Sequence, residues 1–458
     1  MNTHEQSAEL TRRDFLRGGS LASFMMLMGG VEIRAEDKKA DEPTTYKAKA
    51  NPVPCGVIGC GTWGRELLTT LALLENGPVA GICDTYSAFV RRAQKLAPKA
   101  EAYDDYKKLL ANEDVKAIIV ATPSHLHREI VIAALEAGKH VYCEAPMATT
   151  LEDARAIAAA AKKNPQSWFQ VGLQARCDKQ IRYLEQFIRT GANGNPVKFR
   201  SQWNKKESWQ RTSPNPQRQE EMNWRLDSKV SLGLTGEIGV HHIDLASWFL
   251  MGRPIAVHGL GSIVLWRDGR KVPDSVDVIF EYPNGVRMVF ASSLATSFDS
   301  EYYLLHGTFA TIMGRDRRAW MFKEVDSPLL GWEVYARKES FYKETGIVLG
   351  ANATKLAAQG DKPQQDASVV DEKTPLQYAL EAFLINSDII SRGLEDFSSL
   401  FDKSDKAALK EYLVGLQKNL VPAAGFEIGY ESAVNVIKAH EAITKGGRIE
   451  IDPALYAI

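Results

Sequence analysis

A chain of 458 residues, 45% apolar and 25% charged, is long enough for two domains with proper cores, and its composition excludes a disordered or collagen-like protein. Its 56 basic residues nearly balance 57 acidic ones, so charge gives no reason to expect nucleic acid or an anionic membrane as partner; a small uncharged ligand fits better. Five cysteines, Cys55, Cys60, Cys83, Cys143 and Cys177, form an odd set, the first four in or beside apolar runs, which favours buried thiols over a disulfide framework.

In chain order the first signal is TRRDFLRGG at 11–19, followed by an apolar stretch from Leu21 to Val31, too short to span a bilayer, and by Ile33-Arg34-Ala35, a passable cleavage site. This resembles the twin-arginine export consensus, so residues 1–35 read as a signal that engages the export machinery and delivers a folded protein to the periplasm. A chance Arg-Arg in a cytosolic extension is the alternative. Residues 36–54, polar and carrying Pro43, Pro52 and Pro54, read as a linker.

From Cys55 short apolar runs alternate with amphipathic stretches of helical length: CGVIG, then 62–75, VAGICD, VKAIIVAT, a helix from about Ser124, KHVYCE, and a helix from about Leu151. That alternation predicts an α/β domain over 55–172 with parallel strands and crossover helices, a Rossmann domain. In GCGTWG, Gly59, Gly61 and Gly64 fall with Thr62 and Trp63 between the first strand and the first helix, where bare backbone lets a pyrophosphate reach the helix N-terminus. Asp84 ends the next strand, placed to accept hydrogen bonds from a ribose 2′-hydroxyl and to repel a 2′-phosphate, which favours NAD over NADP. The competing reading has the glycines merely turning the chain and Asp84 capping the next helix. Thr122 and Pro123 of ATPSHLH lie at a strand's carboxyl end, where ligands gather; His127 either touches the cofactor or packs against the sheet.

Four stretches in order, GCGTWG, ATPSHLH, ALEAGKHVYCEAP and GEIGVHHID, resemble the Gfo/Idh/MocA family (glucose-fructose oxidoreductase, inositol dehydrogenase, rhizopine catabolism) over about 55–323 and again over 425–451. The resemblance implies a Rossmann domain, a second domain that covers the nicotinamide, and a sugar or polyol between them, with Glu144 among the cofactor residues. Where the family carries Glu-Lys-Pro, this chain has Glu144-Ala145-Pro146. Ala145 therefore removes a positive donor from the site of a developing alkoxide, an interaction that elsewhere contributes a few kcal/mol. Lys205 and Lys206 are candidate replacements, or a solvated surface pair. The family's Asp-x-x-x-His appears as Glu237 and His241.

GEIGVHHIDLASWFL is itself informative: read as a helix over 236–250, it places Glu237, His241, Asp244 and Trp248 on one stripe among apolar neighbours. Ionisable groups on such a helix should line a polar cavity rather than a dry core. His241 is the candidate general base or acid, with Glu237 one turn away to orient it; a purely structural network is the alternative. His242 points about 100° off this stripe and is assigned no chemistry. Trp224 and Arg225 of NWRLD stand either against sugar hydroxyls or as core Trp and surface Arg, and Arg176 and Asp244 complete the substrate-side candidates.

Residues 173–458 form the second domain, an α/β unit with an open mixed, mainly antiparallel sheet. Val276, Val278, Phe280 and Tyr282 alternate with polar residues before the Asn284-Gly285 turn, and HGTFATIMG at 306–314 reads as a later hairpin. An uncovered sheet face points to a homo-oligomer. Residues 325–424 read as an insertion shaping one edge of the pocket or the oligomer, with a loop at 359–373 and helical patterns from Pro375 to Arg392 and Lys403 to Lys418. No metal-ligand spacing occurs, so no metal is expected. An exported dinucleotide enzyme must carry its cofactor along, so the expectation is an NAD-dependent oxidoreductase of a sugar with a tightly held, internally recycled cofactor. The alternatives are a redox-neutral glycoside hydrolase working by oxidation, elimination, hydration and reduction, and a non-catalytic sugar- and NAD-binding protein.

Overall fold

The computed structural model describes residues 50–334, 336–341, 344–350, 373–402 and 405–458. The signal at 1–35, residues 36–49 of the linker and residues 359–372 of the insertion loop lie outside the described residues.

The first sheet contains β1 (Cys55–Ile58), β2 (Val79–Cys83), β3 (Glu101–Tyr103), β4 (Ala117–Val120), β5 (His140–Cys143) and β6 (Phe169–Val171). All pairs are parallel and the order is β3-β2-β1-β4-β5-β6. The order reverses between β1 and β4, which opens a crevice beyond their carboxyl ends. Every residue of β1, β4 and β5 is buried, because both faces of the sheet are covered. Ile58, Ile118 and Val120 face the helices His127–Glu136 and Leu151–Lys163, while Val57, Ile82 and Ile119 face the helix Thr62–Leu71 through Leu67, Leu68 and Leu71.

That second layer is completed from far along the chain. The helix Pro375–Leu400 packs Leu380, Phe383 and Leu384 into the same core, with the rings of Phe383 and Tyr142 edge to face at 5.7 Å. Gln170 Nε2 donates to the Ala379 carbonyl at 2.8 Å, and His140 Nε2 and Ser391 Oγ lie 2.9 Å apart. The stretch expected at the pocket edge or an oligomer contact therefore seals the back of the first sheet, and of this helix Pro375 alone lines the main cavity. Each large apolar side chain so buried contributes about 1.5–3 kcal/mol. A helix with so many buried positions has to find a sheet; its own pattern does not say which one.

The second sheet has ten strands in the order β14-β15-β13-β12-β11-β7-β10-β9-β8-β16. They are β7 (Pro196–Asn204), β8 (Ala256–Ser262), β9 (Ser275–Glu281), β10 (Arg287–Ser293), β11 (Glu301–Gly307), β12 (Ala310–Arg315), β13 (Arg318–Lys323), β14 (Lys338–Phe341), β15 (Glu344–Leu349) and β16 (Arg448–Glu450). The β7–β10 pair is parallel and the others are antiparallel, the open mixed sheet that the alternation of Val276, Val278 and Phe280 predicts. The helix Gly239–Leu250 lies on its inner face, with Phe249 against Phe199 at 6.4 Å.

The two domains share one core through the helix Phe426–Lys445, whose Gly429 has no room for a side chain: a Cβ there would sit 2.3 Å from Val171 Cγ2. Val171 N donates to Ala424 O at 2.8 Å just before this helix. All five cysteines are free and buried, as their apolar settings suggest. Among the described residues no helix is long and apolar enough to cross a membrane.

Candidate active site

The glycines after β1 divide the work of holding a phosphate. Gly59 has φ +95°, and a Cβ there would meet the Ala121 carbonyl oxygen at 2.5 Å, so the turn passes hard against the end of β4. At Gly64 a Cβ would stand 1.8 Å from Gly59 O, which fixes the close approach of helix and strand. Gly61 is different: nothing lies within 4 Å of its Cβ position, and it caps the helix Thr62–Leu71 without any side-chain hydrogen bond. Open space before an uncapped helix N-terminus is where an anion is favoured.

Asp84 Oδ2 accepts from Cys60 N at 2.8 Å, and Oδ1 accepts from Tyr86 N at 2.7 Å. It thus braces the glycine turn and also caps the next segment, so both readings of this residue describe part of its work; each oxygen keeps a lone pair for a ribose hydroxyl. Burial raises its pKa, while the two amides and the charges of Arg218 and Arg65 pull it back. Two further buried atoms, Thr122 Oγ1 and Glu144 Oε1, have no hydrogen-bond partner among the described residues. Burial pushes the Glu144 carboxyl up to about 7, and Gly172 makes room for it, since a Cβ there would lie 2.6 Å from Glu144 Oε2. Buried polar atoms seldom stay unpaired, so these residues fit a dinucleotide lying across the glycine turn. Pro123 ends the same loop. The ring of His127 sits between the carbonyls of Pro146 (3.2 Å) and Thr122 (3.1 Å), and in its neutral form donates to one of the two; burial depresses its pKa to about 4 against the pull of these carbonyls.

A cavity of about 890 Å³ joins this crevice to the second domain. Thr62, Trp63, Thr122, Glu144 and Ala145 line its first-domain wall, and Trp224, Arg225, Glu237 and His241 its other wall. The expected continuous helix over 236–250 is broken at Ile238 into Gly233–Glu237 and Gly239–Leu250. A Cβ on Gly239 would sit 3.0 Å from a Phe290 ring carbon, so the close neighbour of this glycine is the sheet and not a ligand.

Glu237 does not orient His241. Its Oε1 accepts from Ser124 Oγ and its Oε2 from Arg225 Nε, both at 3.0 Å, because the break turns the carboxylate toward the loop after β4. Burial raises its pKa and Arg225 opposes that rise. Arg225 in turn lies 4.7 Å over the Trp224 ring, which faces His125 at 5.8 Å. The His241 ring, by contrast, has no hydrogen-bond partner among the described residues. Burial lowers its pKa, and the nearby Asp244 opposes that shift; an imidazole so placed can take up or give a proton.

Three substrate-side candidates lie elsewhere. Asp244 and Arg176 form a two-pronged pair at 2.8 and 2.9 Å, with Ser432 Oγ donating to Asp244 at 2.9 Å, and they line a second cavity behind the helix. Asp244 is three residues past His241, a rotation of about 300°, enough to carry it off the cavity wall onto a neighbouring helix. Lys206 is exposed; Lys205 lines the cavity and pairs with Glu207 at 2.9 Å.

Trp209 and Arg218 escape sequence reasoning. Trp209 lines the cavity at φ +64°, a conformation that bulky residues rarely adopt, and Ser208 before it is held by the buried Arg270–Asp268 pair. No local pattern announces either residue. His242 also reaches the cavity, its Nε2 3.5 Å from Glu301 Oε1, with its ring against Phe290 at 5.2 Å and its pKa pushed down to about 3 by burial. Among the described residues no group of three metal-ligating side chains comes together.

Residues 53–173 match the model of an oxidoreductase family with an NAD-binding Rossmann fold, and residues 181–313 match the GFO/IDH/MocA C-terminal domain. Inositol 2-dehydrogenase of Salmonella typhimurium is 33% identical over 144 residues, 31% of this chain and 43% of that protein, so the match spans less than half of its length. The 1,5-anhydro-D-fructose reductase of Ensifer adhaerens is 28% identical over 272 residues, 57% of this chain and 75% of that protein. In fold, levoglucosan dehydrogenase solved with NADH and L-sorbose superimposes with a TM-score of 0.64 at 20% identity, over 88% of this chain and 100% of that one. Two adjoining family models in the right order, over a crevice whose glycines fit their separate tasks, settle the kinship: the chain belongs to the Gfo/Idh/MocA oxidoreductase family.

Proposed function

We propose that this protein is a nicotinamide-dependent oxidoreductase of a sugar or polyol, working in the periplasm with a cofactor that stays bound and is regenerated within each cycle. One observation carries the reading: the His241 imidazole, with no hydrogen-bond partner among the described residues, shares a cavity with Thr62 and Trp63 of the glycine turn and with the unpaired Glu144 and Thr122 atoms. When bound, a nicotinamide supplies the hydride acceptor. His241 takes the proton of the substrate hydroxyl as the carbon–hydrogen bond is broken, and gives it back when a second carbonyl compound is reduced. Glu237 is a positioning residue that fixes Arg225 and the Ser124 loop around the reacting carbon. Ala145 leaves that carbon without the usual ammonium, so stabilisation of the oxyanion falls to other cavity groups, among them Lys205.

Asp84 favours NAD over NADP, and the polyol and sugar names of the relatives support a small hydroxylated substrate. The arginine pair at 12–13 supports folded export, and Leu260 and Ile279, exposed on the outer face of the second sheet, support a homo-oligomer. The test is to purify the protein after folding in the cytoplasm, denature it, and identify the released dinucleotide by mass, then to add polyols and aldoses to native protein without free NAD. Bound NAD that becomes reduced on adding one sugar and reoxidised on adding a second supports the reading; a protein that contains no dinucleotide and takes none up refutes it.

A further inference from the structure

The segment between β7 and the helix Gly233–Glu237 leaves the second domain, crosses to the first, and is anchored there twice. Near its end, Trp224 faces His125 of the loop after β4, and Arg225 pairs with the Glu237 carboxylate of the second domain, which Ser124 of that same loop also holds. In its middle the short helix Pro216–Met222, capped by Asn215, presents Arg218. The Arg218 guanidinium donates to Thr85 Oγ1 at 3.2 Å and to Thr85 O at 3.3 Å, and lies 4.9 Å from the centre of the Tyr86 ring. Thr85 and Tyr86 directly follow Asp84 at the end of β2.

Sheet order gives this pair of anchors its meaning. The strands run β2-β1-β4, so the glycine turn after β1 lies between the loop after β2, held by Arg218, and the loop after β4, held by Trp224. A dinucleotide held at that turn would have the span from residue 218 to residue 224 tethered on both sides of it. The middle anchor is the one built to open: its hydrogen bonds are long, its guanidinium is shared with Glu221 at 2.8 Å, and it stands at the protein surface.

We propose that Arg218 is a cofactor-retaining residue contributed by the second domain, closing the adenosine end of the crevice so that the dinucleotide leaves only when the Arg218–Thr85 contact breaks. The assignment rests on the reading of the glycine turn as a dinucleotide site, and it gives a physical means for the cofactor to remain bound between turnovers.

The experiment measures exchange of bound NAD for a fluorescent adenine-modified NAD in the full-length holoprotein, in wild type, R218A, T85V and the double variant, with thermal melting recorded for each. The expected result is exchange about tenfold faster in R218A, which corresponds to about 1.4 kcal/mol. T85V should shift the rate in the same direction, and the double variant should be no faster than R218A, since both remove one contact. Exchange in R218A at the wild-type rate overturns the proposal, as do fully additive effects of the two substitutions. If R218A does not fold, T85V alone decides by the same criterion. A wild type that neither contains nor takes up NAD overturns the dinucleotide reading itself, an outcome distinct from unchanged exchange in R218A.

Discussion

The helix Gly239–Leu250 separates two cavities that use the same chemistry to opposite ends. Behind it, Arg176, Asp244 and Ser432 satisfy one another, with Arg176 15% and Asp244 3% exposed; in front, among the described residues, the His241 ring makes no hydrogen bond and Glu144 keeps one unpaired oxygen. A closed set of hydrogen bonds holds elements together, whereas an open set waits for a ligand. Ionisable residues on a buried helix are therefore sorted by what is left unpaired, more than by where they stand in a motif.

The sharpest test of that contrast is to remove one member from each side. His241→Ala should lower sugar-dependent reduction of bound NAD by about 10²–10⁴-fold, the range for a lost general base, while bound NAD and the melting temperature stay near wild type. Absorbance of the reduced nicotinamide and calorimetry report the two quantities. Asp244→Ala should do the reverse in kind: it strands the Arg176 guanidinium, and denaturant unfolding should show a loss of about 3–5 kcal/mol. Were D244A as stable as wild type, the rear network would not be the brace described above.

A pH series sharpens the front side. Burial raises the Glu144 pKa from 4.5 to about 7, so between these values the unfolded chain has released its proton while the folded one still holds it. Stability from this group is complete below pH 4.5 and is lost as pH rises to about 7, by no more than about 1.4 kcal/mol per pH unit. His127 works oppositely: its pKa is depressed from 6.5 to about 4, so its contribution is present above 6.5 and is lost as pH falls through 4. The two trends overlap, and the stability of wild type relative to Glu144→Gln is the quantity to follow; in apoprotein it should decline from pH 4.5 to 7. The smallest effect is expected from Trp209→Ala, where loss of a ring from the cavity wall should raise the KM for sugar severalfold and leave kcat nearly unchanged, in line with about 0.5–1.5 kcal/mol for an aromatic contact.

Much of this architecture was legible before any coordinates. Strand, glycine turn, helix and acid follow one another within thirty residues of Cys55, and local spacing alone assigns Gly59, Gly61, Gly64 and Asp84. His241 was singled out by the family resemblance of GEIGVHHID; residue type and buried setting alone left a structural network as the better reading. What failed to show were partners distant in sequence. Asp244 could not be placed without Arg176, 68 residues away, and the docking of the helix Pro375–Leu400 depends on a sheet whose last strand ends at Val171. Lys205 and Lys206 are adjacent just past the end of β7, and only the folded structure shows that Lys205 lines the cavity. Trp209 had no signal, because the residue before it is held by the Arg270–Asp268 pair from another part of the chain.

The helix Pro375–Leu400 also sets the order of assembly during synthesis. A ribosome that has completed all six strands of the first sheet has still to make some two hundred residues before Phe383 and its neighbours emerge, and meanwhile Tyr142, which Phe383 covers in the finished fold, lacks that partner. The nascent nucleotide-binding half is thus a natural client for chaperones, and chains stalled short of residue 375 should be captured by them, with dinucleotide uptake following release of the finished polypeptide.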